Sequence, residues 1–457
     1  MWSEDRTPKD LLLVSWLLAG FLAGPAVAIA DEVSEQSIPQ IKVPLLSRRT
    51  TPATTIRVKV FPHERNYKPH YADKRQTEIT LRSDDECQVY EGRSGRPAKT
   101  SNVLSVSKLI PVTAEKFAHP LWVECKSGAT LIREKGLPHF TYPGALYVHK
   151  LSTDEGPYLE VINIVALGDY LKGVVPSEVY VDWPMESLKT QAVAARTYAV
   201  FHYAFSRRYN RSRLWDVDDT IRYQAYTGLS MRSRRTDEAV QRTQGQILTH
   251  GGDVIQAYYH ADSGGQTESA WHVWETEIPY VAPRPEFFRE EREPDTWQRV
   301  IHLQHLTRRL RTDRWLSADE TVVGLSVPVI GRTESGRVKL VTLQLADDGY
   351  KNIPLKAFRK VIGRLPSTLF SFVEDPERPG RVKLTGQGNG HGVGMSQLGA
   401  AFLASSKGWD YKRILDFYYL DTTLCDLRAK AKMPDCYNLA KGSESKRVIV
   451  DQSRQAS

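Results

Sequence analysis

Apolar and polar residues alternate through Ile56-Arg57-Val58-Lys59-Val60-Phe61, the period-two pattern of a half-buried strand. Shorter runs of the same kind at Glu78–Leu81, Leu121–Cys125, Ala145–His149 and Leu159–Ile164 predict a β-rich section over residues 56–165. The pattern then changes. Val165–Val174 reads as a helix that Pro176 ends, and a second helix is predicted from Pro184, a suitable first residue, to about Arg208, with Leu188, Ala192, Ala195, Ala199 and Tyr203 on one stripe. Thr236–Gln244 predicts a short helix. Gln246–Thr249 and Val254–Tyr259, joined through Gly251-Gly252, predict a hairpin that carries His260 to a strand end. Residues 285–380 are richer in charge and proline, yet Val338–Leu343 and Pro354–Ile362 keep strand and helix patterns, so they read as a folded insertion. A glycine-rich loop over Gly386–Gly394 precedes helices at Met395–Ser405 and at Tyr411–Tyr419, the latter capped by Asp410. The mixture predicts an α+β fold class.

The first residues change the picture of where this fold works. Arg6 and Lys9 precede an apolar run from Leu11 to Ala30 that closes on Ala28-Ile29-Ala30, which reads as a signal peptide (1–30) cleaved before a polar linker (31–55). An uncleaved anchor is the alternative, and no later run is long and apolar enough to span a bilayer. The expectation is export, to the periplasm, cell wall or extracellular space. Four cysteines, Cys87, Cys125, Cys425 and Cys436, then suggest two disulfides; three pairings are open, and their clustering favours Cys87 with Cys125 and Cys425 with Cys436. The absence of a Cys-x-x-Cys pair speaks against a zinc or redox site. A net charge of +8 fits an envelope polyanion as well as a merely solvated surface, and nucleic acid is not an expected partner of an exported chain.

Candidate chemistry begins with Val175-Pro176-Ser177-Glu178, followed by Trp183-Pro184-Met185-Glu186 and the small-residue run to Tyr198. A single carboxyl shielded by Val174, Val175, Val179 and Trp183 can stay protonated near neutral pH and serve as a general acid. A helix-start carboxylate is the ordinary alternative for Glu178. Arg196 is conspicuous among small residues; it can pair with Glu178, hold a polar substituent of a substrate, or form a structural ion pair. Two further blocks follow: Tyr258-Tyr259-His260-Ala261-Asp262-Ser263-Gly264-Gly265-Gln266-Thr267-Glu268, and Gly386-Gln387-Gly388-Asn389-Gly390-His391-Gly392-Val393-Gly394-Met395-Ser396-Gln397. The second is no nucleotide loop, since it lacks Gly-Lys-Ser/Thr. Ser263 lacks the elbow of a serine nucleophile.

These blocks, with Tyr170–Tyr198 and Trp215–Gly228, resemble the SpoIID/LytB family of peptidoglycan glycan-strand lytic enzymes. The resemblance runs from about Ile56 to Thr423. It implies a SpoIID-like core (56–424) of mixed strands and helices with a glycan-binding cleft, its catalytic parts at 166–284 and 381–424, and a C-terminal tail at 425–457. It further implies that Glu178 is the catalytic acid/base and that His391 and Gln397 are substrate contacts; Arg196, Gln224, His260 and Ser263 are the further expected contacts, on the hydrogen bonds that their side chains can offer. The implied reaction is a lytic transglycosylation between N-acetylmuramic acid and N-acetylglucosamine, on strands stripped of stem peptides. The C6 hydroxyl acts as nucleophile and leaves a 1,6-anhydro end, so no second carboxylate is compulsory and no cofactor is needed. A hydrolase would need one, with Asp182 and Glu186 nearest in sequence. Some members bind zinc near Trp215–Gly228, but Val217 and Tyr223 stand where their cysteines would be. An amidase is an expected functional partner. The other classes to be separated are a non-catalytic peptidoglycan-binding protein or amidase activator, and a secreted serine or zinc hydrolase.

Overall fold

The computed structural model describes residues 55–61, 78–82, 87–91, 109–113, 120–132, 139–154, 156–210, 212–292, 295–375, 378–427 and 435–438. The signal peptide and all but the last residue of the linker lie outside them, as does the polar stretch after 438. Among the described residues, no helix is long and apolar enough to cross a membrane. The fold is α+β.

The alternating segments pair as their pattern requires. A six-stranded sheet runs Val217–Asp218, Thr55–Val60, Gly156–Ala166, Ala145–Thr153, Leu121–Cys125, Cys87–Glu91, and Val58, Val123, Leu146 and Val161 line its buried face. Cys87 lies opposite Cys125 on the outer pair, and the two are disulfide-bonded. A four-stranded sheet of Leu109–Thr113, Glu78–Arg82, Ala129–Ile132 and Phe140–Tyr142 adjoins it. Asp216 anchors the sheet's far edge through an ion pair with Arg57.

From this sheet the chain enters the helix Leu167–Glu178. Pro176 does not end it: the helix continues to Glu178, with the Val179 N–H reaching the Val175 carbonyl at 3.1 Å. Proline is tolerated there because only the final turn loses a donor. The helix Met185–Tyr209 follows. The expected single stripe understates it. Leu188, Ala192, Ala195 and Ala199 pack into one core with the sheet, while Val193 and Ala194 pack into a second with Leu248, Ile255, Met395 and Leu415. Small residues on nearly every side make this the central helix, covered on both faces.

The hairpin forms from Gln246–His250 and Asp253–Val254. His260 belongs to a separate strand, Tyr259–His260, lying parallel to Met395–Ser396, so the last glycine-rich helix starts at Gln397 instead of Met395. Residues 425–426 are not tail. Thr423–Asp426 pairs with Gln246–His250 and with Asp435–Asn438, and Cys425, disulfide-bonded, stands opposite Cys436 in that register. The insertion has its own core of Trp297, Leu310, Val341, Phe358 and Leu384. Its central strand, Arg381–Gln387, pairs with both Thr296–His302 and Phe370–Glu374 and carries this packed unit past residue 380.

Candidate active site

Glu178 ends its helix against the segment Gln224–Gly228, and Gly173 is what lets that segment approach. A Cβ at 173 would meet the Gly228 carbonyl oxygen at 2.3 Å and the Tyr226 ring at 2.7 Å. The contact is stapled by the Ser177 and Thr227 hydroxyls at 2.9 Å and by the Tyr226 hydroxyl donating to Asn163 Oδ1 at 2.8 Å. As a result the Ala225 N–H donates to Glu178 Oε1 at 2.7 Å.

The rest of the carboxyl's surroundings come from far along the chain. The loop Gly388–Gly394 lies on the strand Tyr259–His260, closely enough that a Cβ on Gly394, whose φ is +72°, would meet the Tyr258 carbonyl oxygen at 2.2 Å. That contact aligns Met395 with Tyr259. It brings the Tyr259 hydroxyl and the Gln397 amide onto Glu178. Gln224 Nε2 donates to the Tyr259 hydroxyl at 2.9 Å and its Oε1 accepts from Tyr170 at 3.1 Å, so the Tyr259 proton is directed at the carboxyl.

Burial raises the Glu178 pKa from 4.5 to about 7, against the lowering effect of the Ala225 N–H, Gln397 and Tyr259. The groups acting on it are neutral, and the residue keeps a partly exposed edge. A carboxyl half-protonated near neutrality, hydrogen-bonded in place and open on one side can give and take one proton. Val174 and Val175 lie beneath it in the first core. Neither nearby carboxylate joins it: Asp182 is exposed, and Glu186 pairs with Lys189 at 2.8 Å and accepts the Tyr411 N–H at 3.0 Å.

The residues expected to touch substrate divide into two groups. Gln397 reaches Glu178, and His391 is partly exposed. Arg196, Gln224 and Ser263 are buried, with their polar atoms engaged inside the protein. Arg196 donates to the carbonyls of Val240 and Gln246 at 3.0 and 3.2 Å, tying the central helix to its neighbours. Ser263 donates to Glu286 at 2.7 Å and accepts the Gly265 N–H at 3.0 Å. His260, 4% exposed, lies with Nδ1 3.1 Å from the Val393 carbonyl, and His391 Nδ1 accepts the Val393 N–H at 3.0 Å. The two rings, centroids 5.6 Å apart, thus grip both backbone groups of Val393. Burial, then neighbouring charge, lowers both pKa values, that of His391 to about 4, so both rings are neutral at pH 7.

Two contributors were not singled out from the sequence as site residues: the Ala225 N–H, a backbone group, and Tyr259. Tyr259 was within reach, since alternation along a strand sends it and His260 to opposite faces, but which face meets Glu178 is decided by the pairing with Met395. Among the described residues, no group of three or more His, Cys, Asp or Glu is placed to hold a metal. Asp216 and Asp218 are instead ion-paired with Arg57 and Arg222 at 2.6 and 2.8 Å.

Comparison with known proteins adds to this geometry. The family model described as Stage II sporulation protein matches residues 155–250, and a model for a domain of unknown function (DUF8618) matches 281–394. The chain is similar to an uncharacterized protein of Brachyspira hyodysenteriae, 34% identical over 269 residues, 58% of this chain and 68% of the relative. It is similar to the Stage II sporulation protein D of Bacillus amyloliquefaciens, 30% identical over 274 residues, 56% of this chain and 74% of that protein. The Amidase enhancer of Bacillus subtilis is 31% identical over 300 residues, 56% of this chain but 40% of that longer protein.

Proposed function

The chain belongs to the SpoIID/LytB family, and from that premise we propose that it is an exported lytic transglycosylase of peptidoglycan, with Glu178 as its single acid/base. The observation that carries the reading is a lone, enclosed carboxyl with a pKa of about 7, held by the Ala225 N–H, Gln397 and Tyr259. Protonated Glu178 gives its proton to the glycosidic oxygen as the bond from that oxygen to C1 of the muramyl sugar breaks; the N-acetylglucosamine leaves with the oxygen as its C4 hydroxyl, and an oxocarbenium-like centre forms at C1 of the muramyl sugar. The resulting carboxylate then accepts the proton of that sugar's C6 hydroxyl as its oxygen closes on C1. The product is a 1,6-anhydro end, and the enzyme regains its starting proton. A neutral surround suits this cycle, because a cation beside Glu178 would hold it ionised and disable the first step.

The direct test incubates purified protein with peptide-free glycan strands and looks for anhydromuramyl ends by mass spectrometry; reducing ends in their place would indicate a hydrolase. Since the acid form starts the cycle, kcat/KM is expected to be level below neutrality and to fall through about pH 7, the value to which burial raises Glu178. A rate that rises through that range would mean that ionised Glu178 is the starting form.

Tyr259 acts beside it. Tyr259→Phe removes a donor to Glu178 and the acceptor of the Gln224 amide, and is expected to lower kcat by about 10–100-fold. It also removes an influence that holds the Glu178 pKa down, so the descending limb of the pH profile moves to higher pH. A limb that stays in place would reduce Tyr259 to packing.

A second reading has its own support in the relative named Amidase enhancer: a non-catalytic peptidoglycan binder that stimulates an amidase. It predicts full stimulation of a purified N-acetylmuramoyl-L-alanine amidase by Glu178→Gln. An amidase partner fits the first reading too, since it would supply strands without stem peptides.

A further inference from the structure

Two tryptophans on one short helix take no part in the proton transfer, and one of them, Trp274, packs against His391 of the candidate site. The short helix Ala270–Trp274 carries both, and residues three apart share one side of a helix. Trp271 is 51% exposed. Trp274 stacks on Tyr258, ring centroids 4.4 Å apart and planes at 25°, and lies 5.1 Å from the His391 ring. His391 in turn hydrogen-bonds the backbone of Tyr259, whose hydroxyl meets Glu178. An aromatic cluster of His391, Tyr258 and Trp274 therefore adjoins the strand that carries Tyr259, and Trp271 lies one turn earlier on the helix of Trp274.

The helix that carries both indoles is tied down at its start. Ser269 caps the short helix, its side chain accepting the Trp271 N–H at 3.2 Å. The Ser269 N–H is itself bound by the Glu268 carboxylate at 2.7 Å, and that carboxylate also accepts the hydroxyls of Thr333 and Ser335 at 2.6 and 2.7 Å. An indole left half in water forgoes a large apolar burial, and its electron-rich face attracts the weakly positive axial C–H groups of a pyranose ring. A β-linked amino-sugar chain presents such a face on each sugar.

Resting on the lytic reading above, we propose that Trp271 and Trp274 form a stacking platform for sugars of the glycan strand beyond the scissile bond, Trp274 nearer Glu178 and Trp271 farther out. The platform sets how long a strand must be for tight binding. It acts on affinity, because its contacts are the same in the ground state and the transition state.

Chito-oligosaccharides, β-1,4-linked N-acetylglucosamine, are the probe, with Glu178→Gln protein used so that nothing is cleaved. Tryptophan fluorescence is expected to change on adding the hexamer. Trp271→Ala in that background is expected to weaken hexamer binding about 10-fold and dimer binding less than 2-fold. Trp274→Phe should keep most of the affinity that Trp274→Ala loses. With Glu178 intact, Trp271→Ala should raise KM on long strands about 10-fold with kcat within 2-fold. Equal hexamer affinity with and without Trp271 overturns the platform, as does binding of a free stem tetrapeptide in place of the sugar. Anhydro ends without any Trp271 effect would leave the catalytic reading intact and reject the platform. Trp271-dependent hexamer binding by a protein that makes no anhydro ends would do the reverse.

Discussion

Glu178→Gln is expected to abolish formation of anhydromuramyl ends, lowering kcat by about 10³-fold or more, while glycan binding persists. The amide keeps the shape of the side chain and can still accept the Ala225 N–H, but it has no proton to give and cannot take one from the C6 hydroxyl. The same substitution tests the environment through stability. In the folded protein the carboxyl has a pKa of about 7 against 4.5 ordinarily, so burial favours the protonated form. Below pH 4.5 it is protonated both folded and unfolded, and nothing is lost. As pH rises to 7 the unfolded chain releases the proton that the folded chain retains, and stability falls; above 7 the loss is constant at about 3 kcal/mol. Glutamine, neutral throughout, escapes this loss. The variant should therefore melt with the wild type at pH 4 and at higher temperature at pH 8. A dead enzyme with no gain at pH 8 would mean that Glu178 is ionised in the resting protein, and the acid step as written would fail. Unchanged activity would remove Glu178 from the chemistry altogether.

How much of this could be read in the chain depends on the range of the interaction. Strands such as Ile56–Phe61 and caps such as Asp410, whose side chain accepts the Arg413 N–H at 2.8 Å, are fixed by residues near one another in sequence, and the pattern identifies them. Pro176 misleads because a proline in a helix's last turn forfeits little, and only the packing of Val174 and Val175 decides that the turn continues. The candidate site was legible as three blocks but not as an arrangement. Arg196 looked like a partner for Glu178 because its charge needed compensation, yet the Val240 and Gln246 carbonyls, from elements that pack on the central helix, provide acceptors. The role of the 285–380 insertion was the least legible feature, since its contact with the site is made by backbone hydrogen bonds, such as those of the Gly388 and Gly390 N–H to the Asp295 and Pro366 carbonyls, and by a few polar side chains of a separately packed unit.

Removing one of those side chains is expected to have a large structural effect. Arg337 is 2% exposed and reaches out of the insertion into the block that begins at Tyr258. Its guanidinium donates to the carbonyls of Ser263 and Gln266 at 2.6 and 3.0 Å and to the Ser335 hydroxyl at 3.0 Å, and it lies so close to Gly392 that a Cβ there would meet it at 2.5 Å. Arg337→Ala leaves these acceptors enclosed without a donor and removes a cation that offsets the buried Glu268, Asp262 and Glu286. The expected loss is about 3–5 kcal/mol in an unfolding titration. Arg337→Lys should recover little of it, because one ammonium cannot span three acceptors that a planar fork reaches together. Catalysis should fall with it, since Ser263, Gln266 and Gly392 belong to the two loops that set Tyr259 and Gln397 against Glu178. A readout beyond stability comes from His391. Burial and, after it, the Arg337 charge lower its pKa to about 4, so in any folded fraction of Arg337→Ala its NMR titration should move to higher pH. A variant as stable as the parent, with the His391 titration unmoved, would show that the insertion does not brace the site through Arg337.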